Sequence, residues 1–410
     1  MKKIPADHPF TTAGAFNQWL TNDIESLLEW HGHLAKHKGP KKYKKKVKAV
    51  IQEFRELLYE DTVVRMYVAK MIDQIPVRHK NHRIKNSEDL LQLLEAVLTR
   101  APEYNKTALV GCPMSAIVVW TMGNPAGFAA YRNEKINRMF QKLLFVWAEF
   151  LNSADSLYVL NSSDKGWMCS DARDQLKMST YRYKEDAEHW GFKSWNDFFS
   201  RKLAPKARPI EAPKDDKIIT SACDSTVHRI SHNIKKFQHF WIKEQPYSLN
   251  DMLADDPDVE EFVGGSIFQA YLNPFNYHRW HSPVNGVIKK AYVKDGLYFS
   301  QDTAVGEDPT AQGYSEEYVA HVQTRAMIFI EADDPVIGLM CVMPVGMVEI
   351  SSCLIDPKIK SGYRIKKGEE LGTFQFGGST HCLIFRPKVI KFTAKLDTFY
   401  EMGRAIAVAN

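Results

Sequence analysis

Cysteine is scarce in this chain. There are six in 410 residues (Cys112, Cys169, Cys223, Cys341, Cys353 and Cys382), and no two form a Cys-x-x-Cys pair. That scatter argues against a disulfide framework and against a thiolate metal site, and it fits free thiols in a reducing, cytoplasmic setting. An excess of one charge is also lacking. The 54 Lys+Arg and 49 Asp+Glu leave a formal net charge of +5, too little to argue for nucleic acid as a partner, and no zinc-finger or RNA-binding signature is present. Long apolar runs are missing too. The longest uncharged stretch, residues 107–131, is interrupted by Pro113, Gly123, Asn124, Pro125 and Gly127. It therefore reads as interior core and not as a spanning helix of about 20 apolar residues. Lys2 and Lys3 are followed by no apolar segment of the kind a secretory signal needs. No internal repeat or low-complexity tract occurs.

What is present divides into two textures. With 44% hydrophobic and 25% charged residues, the chain can bury a sizeable core, and its length suggests two to three domains. In the first part Val47, Val50, Ile51, Phe54, Leu57 and Leu58 recur at helical spacing. The lysine-rich residues 41–48 open that helix and read as its solvated face, with contact to an anionic membrane as the rival use. A second helix is expected over 133–151, with the stripe Ile136, Met139, Phe140, Leu143, Leu144, Trp147, Phe150 and Leu151 facing the core. His31, His33 and His37 lie close together without further ligands and read as surface residues. Residues 203–216 carry Pro205, Pro209 and Pro213 and read as a linker. Beyond them, short Val/Ile/Phe/Tyr runs at 286–293, 326–331, 337–350 and 371–376 alternate with turn residues, as in a β domain. The expected fold class is α+β: a helical amino-terminal domain (1–175) followed by a mostly β domain (176–410).

Three clusters in the second domain carry chemistry. Phe374-Gln375-Phe376-Gly377-Gly378-Ser379-Thr380 ends a β-type run in two glycines and a serine. Glycines let another group approach the backbone closely, as a serine attacking the carbonyl before it requires, although a glycine-rich turn has the same composition. Tyr277-His278-Arg279-Trp280-His281-Ser282-Pro283 supplies two histidines three apart. A histidine can act as base and then as acid near neutrality; the rival use is a metal site, for which no third ligand is evident. Ser221-Ala222-Cys223-Asp224-Ser225 places an aspartate among small residues, either to orient a histidine or to hold a turn.

Together the clusters resemble the phosphatidylserine decarboxylase family. The shared features are an aspartate turn, a Tyr-His-Arg-x-His-x-Pro segment and a Gly-Gly-Ser-Thr cleavage motif in the same order. Trp195-Asn196-Asp197-Phe198-Phe199-Ser200-Arg201 and Lys367-Gly368-Glu369-Glu370-Leu371-Gly372 are further similarities. The aspartate turn departs from the pattern, since Asp224 lacks the family's preceding proline and following glycine. In the helical part, residues 124–131, 147–151 and Gly166-Trp167 are similar to the fungal tryptophan decarboxylases of the same family.

The resemblance implies a self-processing carboxy-lyase with a phosphatidylserine-decarboxylase-like catalytic domain. It would be cut between Gly378 and Ser379, with Ser379 becoming a pyruvoyl cofactor in the electron-sink role that pyridoxal phosphate plays elsewhere, so that no pyridoxal phosphate is needed. Implied roles are His281 as base toward Ser379, Asp224 as its orienter, and His278 as the acid of turnover. Phe376, Trp280 and Tyr277 are expected to line the pocket, and no metal is expected. The implied partner is a free aromatic amino acid such as L-tryptophan or, alternatively, a phospholipid head group with peripheral membrane contact. A homodimer is left open, as is a remote third reading, a non-enzymatic β-rich binding module.

Overall fold

The computed structural model describes residues 24–37, 39–75, 82–104, 111–237, 247–273, 275–302, 316–347, 349, 352–375 and 379–410. Phe376 and Gly378, both expected at the site, lie outside these residues.

The amino-terminal part is helical: α1 (Ile24–Leu34), α2 (Lys44–Glu60), α3 (Thr62–Asp73), α4 (Ser87–Val97), α5 (Pro113–Met122), α6 (Pro125–Ala130), α7 (Glu134–Leu151), α8 (Ser170–Leu176) and α9 (Trp195–Phe199). In α7 the side chain of Asn133 accepts from the N–H groups of Lys135 and Ile136, and the eight apolar residues of the stripe are all buried. Helix α5 starts at Pro113, where a missing N–H costs nothing, and all ten of its residues are buried. Around α5 the expectation for the histidines needs correcting. His31 is not on the surface; it is wholly buried, with Nε2 bonded to the Ala116 carbonyl at 2.9 Å.

The helical core crosses the expected boundary at 175/176. It takes in Trp190, Trp195, Phe198 and Phe199, and also Tyr277, Phe299, Val319 and Met347 from farther along the chain. An irregular segment of turns and bends, 200–217, then leads to the strands.

The strands are β1 (Ile218–Thr220), β2 (Ser225–His232), β3 (Ser266–Leu272), β4 (Arg279–His281), β5 (Gly286–Lys294), β6 (Arg325–Ala332), β7 (Leu339–Gly346), β8 (Ser352–Ile355), β9 (Arg364–Ile365), β10 (Glu370–Gln375), β11 (Ser379–Phe385), β12 (Ile390–Phe392), β13 (Phe399–Tyr400) and β14 (Ala405–Ala409). They form an eight-stranded sheet in the order β13-β2-β3-β11-β7-β6-β5-β9 and two three-stranded sheets, β4-β10-β8 and β1-β14-β12. Strand β11 is central in the large sheet and buried throughout. Leu383 and Phe385 enter the core on one face, Cys382 and Ile384 the core on the other, as a period of two requires. Three short helices, Leu249–Met252, Val259–Phe262 and Glu316–Val322, also belong to this part.

Candidate active site

Register places the cluster residues together. At the start of β11, Ser379 pairs with Leu272, the end of β3, and with Gly346, the end of β7. In the small sheet, Thr373 of β10 pairs with Arg279, the start of β4, and Gln375 pairs with Ser352, the start of β8. The order β3-β11-β7 in one sheet thus continues as β4-β10-β8 in the other. The chain therefore crosses between the two sheets three times, from β3 to β4, from β10 to β11 and from β7 to β8, with β10 and β11 in the middle of each order. Tyr277 and His278 precede β4 in the first of these, the histidine junction, and Ser379 opens β11 after the second.

Ser379 is 1% exposed, and its Oγ has no hydrogen-bond partner among the described residues. His278 is tied to the middle crossing through its carbonyl, which accepts from Phe374 N–H (2.9 Å) and Thr373 Oγ (3.1 Å). Its ring stacks on Phe199 of α9 at 4.0 Å and 23°. Burial, reinforced by the nearby Arg201 guanidinium, holds this imidazole well below its ordinary value, so it is neutral.

His281 is held at both ring nitrogens. Nδ1 donates to the Gly368 carbonyl at 2.8 Å, which leaves Nε2 to accept the Tyr277 hydroxyl at 2.8 Å in the neutral ring. Burial lowers its pKa from the ordinary 6.5, while the Gly368 carbonyl and the charges of Glu370 and Asp224 oppose that shift. Gly368 sits at φ +79°, and a Cβ there would come within 2.4 Å of Ile210. Glycine is therefore what allows the turn before β10 to present its carbonyl to His281.

Asp224 does not touch His281, contrary to the orienting role expected for it. Arg208, arriving from the proline-rich segment, takes its carboxylate in a fork (Nε–Oδ1 3.0 Å, Nη2–Oδ2 2.6 Å), and the Met402 N–H donates to Oδ1 at 2.7 Å. Asp224 acts on His281 only through its charge. Trp280 also differs from expectation. It alternates inward between Arg279 and His281, packs on Phe374 at 5.6 Å between ring centroids, and belongs to the β core. Tyr277 sits in the helical core, with its hydroxyl on His281.

Several functional contacts were not foreseen. Arg201 donates to the carbonyls of Phe275 (2.7 Å) and Asn276 (3.2 Å), and Arg279 donates to the Ser200 carbonyl (2.8 Å), so the Phe-Phe-Ser-Arg segment clamps the histidine junction. The motif itself was the signal. His381 follows Ser379 by two residues and so shares its face. It is fully buried against Phe268, and burial holds it down to about 4. Across the strand, Thr380 meets Gln269, which also bonds Glu316, while Glu317 pairs with His228 at 3.1 Å. All six cysteines are free, and among the described residues no three His, Cys, Asp or Glu side chains gather as a metal site.

A buried serine at a doubly paired strand start, in a domain that also buries two histidines of lowered pKa, offers groups for internal acyl chemistry and proton transfer. Comparison with known proteins gives it a family. Residues 195–408 match the family model described as phosphatidylserine decarboxylase, and residues 48–176 match a second model for the same enzyme. The chain belongs to the phosphatidylserine decarboxylase family, and it is a decarboxylase, a carboxy-lyase. It is 37% identical over 298 residues to decarboxylase iboD of Amanita muscaria, covering 68% of this chain and 85% of that one. It is 30% identical over 396 residues to an L-tryptophan decarboxylase of Psilocybe cubensis, covering 90% and 88%. Phosphatidylserine decarboxylase proenzyme 3 of Schizosaccharomyces pombe is 32% identical over 226 residues, covering 53% of this chain and 22% of that protein.

Proposed function

We propose that this decarboxylase processes itself at Gly378–Ser379 and acts on a free aromatic L-amino acid, with L-tryptophan the favoured substrate. The observation that carries the substrate reading is the extent of likeness. Relatives named L-tryptophan decarboxylase align over 90% and 95% of this chain, helical part included, whereas phosphatidylserine decarboxylases align over 52–58%.

In processing, His281 Nε2 takes the Ser379 hydroxyl proton, with the Tyr277 hydroxyl either relaying it or swinging aside. Oγ attacks the Gly378 carbonyl carbon, the C–N bond breaks, the amide nitrogen gains a proton, and an ester results. Loss of the Ser379 α-proton then expels the Gly378 carboxylate, and water converts the residual dehydroalanine into a ketone and ammonia. The residues present fit a pyruvoyl group at 379, because the buried Oγ is unengaged and the strand is anchored on both sides. When present, that group supplies an electron sink for the carbanion left by loss of CO2. His278, neutral and held by Phe199, relays the proton that completes the product amine, giving up its N–H proton to the carbanion carbon while its other ring nitrogen takes a proton from solvent. The sheet and the Arg201 clamp hold these groups in register, and burial excludes water.

A second reading, phosphatidylserine to phosphatidylethanolamine, draws on the phosphatidylserine decarboxylase relatives, which are 30–34% identical. It would bring peripheral membrane contact to a protein we otherwise place in the cytoplasm. Among the described residues, no helix is long and apolar enough to cross a membrane. The test is amine formation by the purified, self-cleaved protein from L-tryptophan, L-tyrosine and L-phenylalanine, with phosphatidylserine in detergent micelles in parallel. Tryptamine without phosphatidylethanolamine supports the first reading, and phosphatidylethanolamine alone overturns it.

A further inference from the structure

Between β7 and β8, Glu349 is an acid that neither processing nor proton delivery uses. Glu349 is 0% exposed. Its Oε2 accepts the Ser115 N–H at 2.5 Å, in the first turn of the ten-residue helix α5; the Ser115 hydroxyl and the Met114 N–H also favour the carboxylate, yet neither closes a hydrogen bond on Oε1. A carboxyl serving only as a helix cap would turn both oxygens to donors or leave one in water; here one is dry and unengaged. No cation among the described residues offsets it. Burial alone pushes this carboxyl up to about 8, against the pull of the α5 amides, which favour the charged form. In the absence of a cation this carboxyl is mostly protonated at neutral pH, and a cation at Oε1 would favour its ionised form.

Of the other carboxylates around the site, Asp224 is committed to Arg208, Glu370 to Arg279, and Glu317 to His228 and Arg229; Glu316 also has an unpartnered Oε1, but it lies with Gln269 and Thr380 on the face of β11 opposite to Ser379. Glu349 is three residues from Gly346, whose backbone pairs directly with Ser379. On the decarboxylase reading above, on which this step rests, the substrate nitrogen must be brought to position 379, and it arrives as an ammonium.

We infer that Glu349 is the anionic partner of the substrate's ammonium group, binding it through Oε1 while α5 holds Oε2. The carboxyl proton passes to water as the ion pair forms, and the substrate nitrogen is held beside residue 379.

The experiment measures binding to the self-cleaved protein by calorimetry with two indole ligands. N,N-dimethyltryptamine keeps the cation but cannot condense with a carbonyl, and tryptophol replaces the ammonium with a hydroxyl. The wild type is expected to prefer the cation by tenfold or more. Glu349→Gln, which keeps an acceptor for the Ser115 N–H, should bring the two affinities within about twofold by weakening the cation alone. Glu349→Asp, with its charge on a shorter arm, should retain a preference and serves if the glutamine variant does not mature. Equal affinities in the wild type, or an undiminished preference in Glu349→Gln, overturn the assignment. If the wild type binds neither ligand, the aromatic-substrate reading fails instead. The same contrast between phosphoethanolamine and ethylene glycol monophosphate then decides Glu349, with equal affinities overturning it.

Discussion

The hydroxyl of Tyr277 lies 2.8 Å from Nε2 of His281, so the nitrogen proposed to receive the serine proton is already occupied by a phenol. The opposite nitrogen is fixed on the Gly368 carbonyl, and the ring cannot rotate away without losing both bonds.

The pH dependence of processing follows from this pair. The base must be neutral, and burial sets His281 below 6.5. Self-cleavage should therefore run at a constant rate through neutrality and decline only at acidic pH, as the ring protonates below its ordinary value. In Tyr277→Phe the neutral ring loses a donor, so protonation becomes easier and the acidic limb should move upward by up to about one pH unit. Fragment appearance on denaturing gels across pH 4–8 measures both limbs; an unmoved limb in Tyr277→Phe would show that the phenol does not bear on the base.

Ser379→Ala should remain one uncut chain, because no other oxygen at that position can attack the Gly378 carbonyl. Intact mass spectrometry distinguishes it from wild type, which should give residues 1–378 and a blocked fragment 379–410. The same two fragments from the alanine variant would end the processing scheme.

Phe199→Leu separates turnover from maturation. The stacked ring positions His278, which on the proposed reading acts after the cut. Cleavage should proceed normally while kcat for amine formation falls about tenfold, equivalent to roughly 1.4 kcal/mol and the order of a lost aromatic contact. Equal loss of both activities would instead place Phe199 in the general packing.

Arg208→Ala strands a carboxylate that is 2% exposed. Removing one partner of a buried ion pair costs about 3–5 kcal/mol. Chemical denaturation of the uncut Ser379→Ala background should show a loss of that order, partly recovered by the double change Arg208→Met, Asp224→Asn. A loss below about 1 kcal/mol would mean that the pair is hydrated in solution.

The elements legible in the sequence were those with long, unambiguous periods. Expected at 133–151, α7 runs over Glu134–Leu151, and the run expected at 286–293 is β5, Gly286–Lys294. Strands such as β4 and β8, of three and four residues, are too short to show a period, so the small sheet β4-β10-β8 could not be read. Contacts between distant segments were invisible for the same reason. The partner of His31 is 85 residues away, and Asp224 finds Arg208 and Met402 at separations of 16 and 178. Composition marked Asp224 and the histidines as reactive types, but only tertiary pairing shows which neighbour each one takes. Glu349 has no motif around it; its burial comes from α5, more than two hundred residues earlier in the chain.

The central place of β11 sets the working life of the molecule. Once the proposed cut is made, the short chain still runs between β3 and β7 over seven residues, and β14 runs between β1 and β12. It cannot depart without dismantling the sheet. A ketone spoiled in service thus could not be swapped for a fresh one, as a dissociable coenzyme can. Each polypeptide would have one irreplaceable reactive group, and activity lost to side reactions would return only with newly made protein.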